Sequence, residues 1–197
     1  MKSKVAFWNF LLNGKKNNHS GEWFSEDSST KDSLSLRVIN NRDGSPRWVF
    51  PTSLTKPDFL KFYSVVSWRS QIIHSIFSVL FRLGLIGLIS KKVKIYYHKQ
   101  PHFFEWVPEN CKEYAFFSGT VGPNQKILTF SRDSEGNKLF SKIAYGKSSN
   151  KLINNELAAL YFLSKQNVKT FDFPTVVNHS NASLTISELK LGENIEH

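Results

Sequence analysis

This chain is poor in cysteine and in acidic residues, and both shortages limit what it can be. Its single cysteine, Cys111, excludes an internal disulfide framework and suits a reducing cytoplasm. Against 16 Asp and Glu there are 26 Lys and Arg, which gives a formal net charge of +10 in 197 residues. Such an excess favours an anionic partner: nucleotide phosphate, nucleic acid or an acidic membrane face. The first residues predict no signal peptide, because their short apolar part is interrupted by Asn9.

Apolar residues are abundant by contrast, and their pattern changes along the chain. Hydrophobic residues make up 40% of the sequence and aromatic residues 14%, which is ample for a packed core. Alternation around Asp43-Gly44 predicts a β-hairpin over 33–52. A helix start at Thr55, followed by polar residues spaced by three or four, predicts a long amphipathic helix over about 58–81.

The apolar content of residues 58–89 leaves three interpretations. The favoured one is a core helix that packs on the following lobe. The second is a helix that lies on an anionic membrane surface, with Lys61, Arg69 and Arg82 toward the lipid. The third is a membrane span over 72–89, which would have to carry charge and several serines into the bilayer.

The residues after this helix carry a histidine pair but no predicted metal site. Weak alternation over 91–97 is compatible with a strand. His98 and His102 have a spacing that could place two ligands on one helical face, but Pro101 lies between them. No third ligand accompanies them, so the sequence predicts no metal at this position.

The stretch 113–191 has a regular pattern of strands around one glycine turn. An apolar strand at 114–117 leads into a turn that contains Gly119, Thr120 and Gly122. Backbone N–H groups of such a turn can lie over phosphates because glycine allows close approach, and an ordinary hairpin loop is the alternative. The other predicted elements are strands at 126–130, 138–145, 173–177 and 183–189 and a helix at 150–165.

Two residues of this stretch are opposite charges within apolar patterns, and each is expected to need the other as a partner. Lys142 lies in the middle of an apolar strand, where a cation is costly to bury unless it is paired. Glu156 follows fourteen residues later, among the apolar positions of the predicted helix. We therefore expect a Lys142–Glu156 ion pair that holds the ammonium for the phosphates of a nucleotide. The alternative is that Lys142 extends to solvent and Glu156 lies on the rim of the helix.

These residues together resemble the N-lobe of kinase-like phosphotransferases, in particular the aminoglycoside and choline kinase group. The resemblance covers roughly the last 85 residues. It implies that Lys142 contacts the phosphates of ATP, that Glu156 positions Lys142, and that the backbone at 188–190 faces adenine. The residues it implies in ATP binding are Gly119, Thr120, Gly122, Lys142, Glu156, Glu188, Leu189 and Lys190.

The sequence departs from that family in ways that limit the expected activity. The turn lacks the full G-x-G-x-x-G pattern, and Phe140 is bulkier than the alanine of protein kinases at that position. No catalytic loop with its Asp and Asn, and no metal-binding Asp, follows the predicted hinge. The sequence therefore predicts no catalytic residue, a lobe truncated before its catalytic partner, and a role for Mg only if that partner is present elsewhere.

A looser resemblance concerns the N-terminal part. Arg47-Trp48 and residues 59–63 are similar to a region that uncharacterised bacterial proteins attach to a kinase-like lobe. Some of those proteins are linked to surface-polysaccharide assembly, which the resemblance extends to this chain as an expectation.

The predicted fold class is α+β: a five-stranded antiparallel sheet with one long helix, preceded by a β-hairpin and a long amphipathic helix. The predicted parts are an N-terminal extension, 1–110, and a kinase-like N-lobe, 111–197. The predicted function is that of the nucleotide-binding part of a cytoplasmic small-molecule or sugar phosphotransferase, inactive as this chain alone. One alternative is a non-catalytic module that docks to a membrane or protein partner through 58–89. A second is single-stranded nucleic-acid binding, suggested by the basic charge and the aromatic residues.

Overall fold

The structure is a computed structural model, and it describes residues 7, 8, 10–12, 32–62, 68–97, 101–108, 111, 113–119, 122–166 and 173–187. The helices α1 and α2 span Trp68–Arg82 and Lys147–Lys165. The strands are β1 (Asp32–Asn40), β2 (Pro46–Pro51), β3 (Lys91–Tyr97), β4 (Glu113–Phe117), β5 (Lys126–Arg132), β6 (Lys138–Ala144), β7 (Val176–Ser180) and β8 (Ser183–Ser187).

These eight strands form one antiparallel sheet in the order β3-β1-β2-β4-β5-β6-β8-β7. Strands β1 and β2 make the predicted hairpin, and its turn contains Gly44 with a φ of 79°, which favours glycine. The second edge of β1 pairs with β3. The second edge of β2 pairs with β4, where Trp48 lies opposite Phe117 and Val49 opposite Phe116. The sheet is therefore continuous across the predicted boundary at residue 110.

The predicted five-stranded sheet with a separate hairpin and long helix in front of it is wrong. The class remains α+β, but β1, β2 and β3 extend the same sheet to eight strands. The reason lies in the hairpin itself, because the neighbouring residues Val49 and Phe50 point to opposite faces and are both fully buried. A hairpin that is apolar on both faces needs cover on both, and pairing with β4 places it between the layers that cover the rest of the sheet.

Different parts of the chain cover the two faces of the sheet. Phe7, Leu11 and Leu12, together with residues 101–108, pack on the face that carries Val49 and Ile143. Residues 58–62, α1 and α2 pack on the opposite face. We call this second face the helical face; it carries Phe50, Phe130, Phe140 and Lys142.

The predicted helix over 58–81 is shorter in the structure and starts later. Residues Asp58–Phe62 form a 3-10 turn, residues 63–67 lie outside the described part, and α1 begins at Trp68. After α1, Gly84 has a φ of 69° and Leu85 N–H donates to the Leu80 carbonyl at 2.8 Å, which is a glycine-dependent helix end. Within the described residues, no helix is long and apolar enough to cross a membrane.

An ion-pair network ties the 58–62 turn to the sheet. The Arg132 guanidinium donates from Nε to Glu113 Oε2 at 2.7 Å and from Nη2 to Asp58 Oδ2. Its hydrogen bond to Glu113, together with both nearby carboxylates, raises the pKa of Arg132. The Asp58 carboxylate, which sequence analysis places in the first turn of a helix, instead links that turn to β5.

Tyr114 on β4 allows a prediction about alkaline stability. Its side chain is buried and its hydroxyl has no hydrogen-bond partner among the described residues. Burial raises the pKa of Tyr114 well above its usual value of 10.0, so the folded chain keeps this proton after the unfolded chain has lost it. Stability that is present below pH ~10 should therefore be lost above it, by up to about 1.4 kcal/mol for each pH unit.

The variant Tyr114→Phe should remove this alkaline loss. At pH 7 we expect it to be as stable as the wild type, or more stable by about 1 kcal/mol, because it deletes an unsatisfied buried hydroxyl. Urea unfolding at pH 7, 9.5 and 11 measures the stability at neutral pH and its loss at alkaline pH. The control is the variant Tyr161→Phe, because Tyr161 is exposed. A loss of stability in Tyr114→Phe at pH 7 would show instead that the hydroxyl is hydrogen-bonded.

Candidate functional site

The glycine turn between β4 and β5 is held at both of its ends. Ser118 N–H donates to the Arg47 carbonyl at 3.0 Å, and the Gln125 side-chain amide donates to the Ser118 carbonyl at 2.9 Å. Gly119 has a φ of 70°, and a Cβ atom there would lie 2.3 Å from the Lys126 carbonyl oxygen. Only glycine fits this close approach of two backbone segments. A Cβ on Gly122 would meet nothing within 4 Å.

A cleft of about 510 Å³ lies below this turn, on the helical face of the sheet. Strand pairing explains its position, since Leu128 on β5 lies opposite Lys142 on β6, and both side chains point to the same face. The lining residues are Phe117, Gly119, Gly122, Pro123, Asn124, Gln125, Lys126, Leu128 and Lys142.

Lys142 forms the predicted ion pair with Glu156. Its Nζ donates to Glu156 Oε1, and the two side chains are 25% and 30% exposed. Strand β6, which carries Lys142, lies between β5 and β8. Lys142 pairs in register with Leu128 on β5 and with Leu184 on β8. The pair is therefore partly desolvated and fixed by a central strand on one side and a helix on the other.

The start of α2 sets the position of Glu156. Ser149 Oγ accepts hydrogen bonds from the backbone N–H groups of Tyr145 at 3.1 Å and Gly146 at 3.0 Å. This side chain replaces missing backbone partners at the helix start, so α2 begins at Lys147, three residues before the predicted start. The early start adds almost one turn between the end of β6 and Glu156.

The side of α2 that faces the sheet differs in part from the predicted one. Ile153 and Leu160 are buried and Leu157 packs against them, over Leu184 and Ile186 of β8. Leu152 is exposed, although it is one of the apolar residues of this helix. Glu156 thus lies at the flank of the packed stripe, which explains how its carboxylate reaches Lys142 without leaving contact with solvent.

The lining of the cleft carries two cations, one of which is paired with Glu156. Lys126 and Lys142 both line it, and the lining residues that the structure describes include no carboxylate. A lysine ammonium has three donors, so Lys142 can donate to Glu156 and still offer hydrogen bonds to an anion in the cleft. The cleft is therefore suited to bind an anion with several oxygen atoms.

The structure brings together the described members of the predicted site. Gly119, Gly122 and Lys142 line one cleft, and Glu156 is bonded to Lys142. The other predicted ATP-binding residues lie outside the described part of the chain: Thr120, Glu188, Leu189 and Lys190.

Lys126 and Gln125 are site residues that the sequence pattern did not predict. Lys126 and Leu128 alternate along β5 with the same period that places Phe140 and Lys142 on one face of β6. If β5 is assumed to pair with β6, that alternation predicts that Lys126 lies on the same face of the sheet as Lys142. Gln125 gave no signal, because its role is to hold the turn through a hydrogen bond to Ser118.

Phe140 is not among the described residues that line the cleft. Its ring lies 5.9 Å from that of Phe130, and it packs against the cores below both α1 and α2. The bulk that departs from the kinase pattern thus fills the space between the two helices.

Of the two histidines with metal-like spacing, only His102 lies in the described part of the chain. His102 Nε2 lies 3.6 Å from Glu105 Oε2 in a 3-10 turn, whereas His98 is outside the described part. Across the residues that the structure describes, no three His, Cys, Asp or Glu side chains are grouped as a metal site would require.

Comparisons with known proteins found no match: no protein family, no curated protein and no solved structure corresponds to this chain.

Proposed function

We propose that this chain is the nucleotide-binding part of a kinase-like phosphotransferase that acts on a small molecule or sugar. The observation that carries the proposal is the Lys142–Glu156 ion pair at the side of a cleft whose other wall is a glycine turn. A strand lysine held by a helix carboxylate is the arrangement with which kinases bind nucleotide phosphates.

The chemistry of the cleft supports phosphate as its ligand. Two lysines, Lys126 and Lys142, line it, and phosphate oxygens accept charge-assisted hydrogen bonds from ammonium groups. The turn containing Gly119 approaches the start of β5 so closely that no side chain intervenes. Gly122 is the open glycine of the turn: a Cβ there would meet nothing within 4 Å, which leaves room for an anion to approach the backbone at that position.

The order of elements supports the kinase-like assignment. Two strands flank the glycine turn, the third carries Lys142, the helix after it carries Glu156, and two further strands follow. Strand β8 pairs with β6, which keeps α2 over the strand that carries the lysine. The glycine turn and strands β4, β5 and β6 line the cleft, and α2 supplies the carboxylate that pairs with Lys142, although the strands belong to a larger sheet.

The residues present fit a nucleoside triphosphate in a restricted role. Lys142 would contact phosphate oxygens, Glu156 would hold Lys142 in place, and bound ATP would supply the phosphoryl group. The described lining of the cleft offers cations and backbone but no carboxylate, so we assign it binding and orientation of phosphates. A catalytic lobe or partner chain would supply the base and the Mg ligands, and we place the reaction in the cytoplasm.

The test is nucleotide binding to the intact protein, measured by calorimetry and thermal unfolding with ATP, ADP and adenosine, with and without Mg²⁺. At a hundredfold excess over Kd, ATP and ADP should stabilise the chain by about 2.7 kcal/mol and raise Tm by several degrees. Adenosine should have a much smaller effect, because it lacks the phosphates. If millimolar nucleotide neither releases heat nor raises Tm, the proposal is wrong.

A further inference from the structure

Helix α1 carries two apolar lines of side chains, one packed and one exposed. Phe77 and Phe81 contact the core on the helical face of the sheet. Ile72, Ile76, Val79 and Leu83 follow one another at intervals of four, three and four residues, which places them in one line along the helix and its end. Their side chains are 48% to 62% exposed. We call these four residues the outer stripe.

The segment that follows α1 continues this apolar surface. Leu85, Leu88 and Ile89 are all exposed, with Leu88 at 76% the most exposed of them. We call these three residues the tip. With the outer stripe they make a run of exposed branched aliphatic side chains along one helix and the turn after it. Contiguous apolar surface of this kind marks an interaction site far more often than single exposed residues do.

The charge of this region has one sign. Between Asp58 and Glu105 the sequence contains no acidic residue. The basic residues in the same interval are Lys61, Arg69, Arg82, Lys91, Lys92, Lys94 and Lys99. The excess of positive charge in the whole chain is therefore concentrated in the segment that also carries the exposed apolar surface.

The fold places part of this charge beside the apolar surface. Lys92 pairs across β1–β3 with Arg37, which lies opposite Phe50 on β2, so Lys92 and Lys94 project from the helical face of the sheet. Both lysines are exposed, and so is Arg82 at the end of α1. Three cations thus lie on the side of the molecule from which the outer stripe and the tip protrude.

We propose that the outer stripe and the tip dock on the surface of an anionic lipid bilayer. The aliphatic side chains enter the boundary between headgroups and acyl chains, and Arg82, Lys92 and Lys94 meet the lipid phosphates. A helix that joins an exposed apolar line to cations, in a sequence segment without acidic residues, has the composition of an interfacial membrane-binding helix. This proposal does not depend on nucleotide binding.

The charge distribution argues against a second copy of the chain as the occupant. A two-fold interface brings the same patch of both copies together, so Arg82, Lys92 and Lys94 of one copy would approach those of the other. Like charges across an interface oppose association. A lipid surface with anionic headgroups meets the same patch with charge of the opposite sign.

Co-sedimentation of the full chain with vesicles tests the proposal. Vesicles of phosphatidylcholine alone are compared with vesicles of phosphatidylcholine and phosphatidylglycerol, at low salt and at 0.5 M NaCl. We expect binding to the anionic vesicles to be roughly tenfold tighter or more, and to weaken in high salt.

Two pairs of substitutions separate the apolar and the charged contributions. Ile76→Gln with Val79→Gln, and Lys92→Glu with Lys94→Glu, should each lower vesicle affinity by roughly tenfold or more. The matched controls are on α2: Leu152→Gln with Phe162→Gln removes equally exposed apolar side chains, and Lys147→Glu with Lys151→Glu makes the same change of charge. Both controls should bind vesicles as the wild type does, and circular dichroism checks that every variant is folded.

Three results would overturn the proposal: no sedimentation with either vesicle, equal affinity for both, or equal loss in the α2 controls. Light scattering without lipid adds a fourth. If the wild type is a dimer and Ile76→Gln with Val79→Gln makes it a monomer without changing vesicle binding, the outer stripe is covered by a second copy of the chain.

Discussion

Replacing Gly119 by alanine should lower the free energy of unfolding by at least about 2 kcal/mol and abolish nucleotide binding. The positive φ of 70° alone costs a residue with a side chain about 1–2 kcal/mol. The new Cβ would also lie 2.3 Å from the Lys126 carbonyl oxygen, so one of the two backbone segments has to move. Because both segments line the cleft, the movement should change the site as well as the stability.

Gly136→Ala separates the two costs. Gly136 has a similar φ of 87°, but a Cβ there would meet nothing within 4 Å. This variant should lower the free energy of unfolding by only about 1–2 kcal/mol, the cost of a positive φ, and bind nucleotide as the wild type does. Denaturant unfolding and nucleotide titration of both variants make the comparison. If Gly119→Ala were no less stable than Gly136→Ala and bound nucleotide normally, the turn would not have the close contact described above.

The second large effect is expected at Lys142. Lys142→Met should weaken binding of ATP and ADP by more than tenfold, because it removes a charge-assisted hydrogen bond to the phosphates. It should also destabilise the fold by about 1–2 kcal/mol, since it leaves Glu156 partly buried without its cation. Lys147→Met, at an exposed lysine outside the cleft, is the matched control for both measurements.

A double variant distinguishes binding from stability. Lys142→Met with Glu156→Leu removes both charges, so its free energy of unfolding should return to within about 1 kcal/mol of the wild type. Its affinity for nucleotide should stay as low as that of Lys142→Met. If the double variant regained nucleotide affinity together with stability, Lys142 would act only through the fold.

The parts of the fold that sequence analysis predicted correctly depend on neighbours in the sequence. The hairpin was visible because Asp43-Gly44 demands a turn between two alternating runs, and β5 and β6 were visible for the same reason. The single eight-stranded sheet was not, because it depends on the pairing of β1 with β3 and of β2 with β4. Such pairings join residues that are distant in the sequence, and periodicity does not specify the partner of a strand edge.

The same distinction applies to the candidate site. Lys142 and Glu156 were predictable as a pair, since each is a charge within an apolar pattern and needs the other. The outer stripe was not predictable, because periodicity identifies apolar residues on α1 but not which of them face the sheet. Ile76 and Phe77 are neighbouring apolar residues of α1, but the structure exposes the first and packs the second.

The most direct test of the central claim is to find where a nucleotide places its phosphates on the intact protein. An acyl-phosphate derivative of ATP transfers its acyl group to the lysine nitrogen closest to the phosphates, and mass spectrometry of the digested protein locates the acylated residue. We expect the label on Lys142, with Lys126 as the only other strongly labelled position, and we expect excess ADP to suppress it. Label spread over exposed lysines such as Lys147 and Lys151, and unchanged by ADP, would contradict the account.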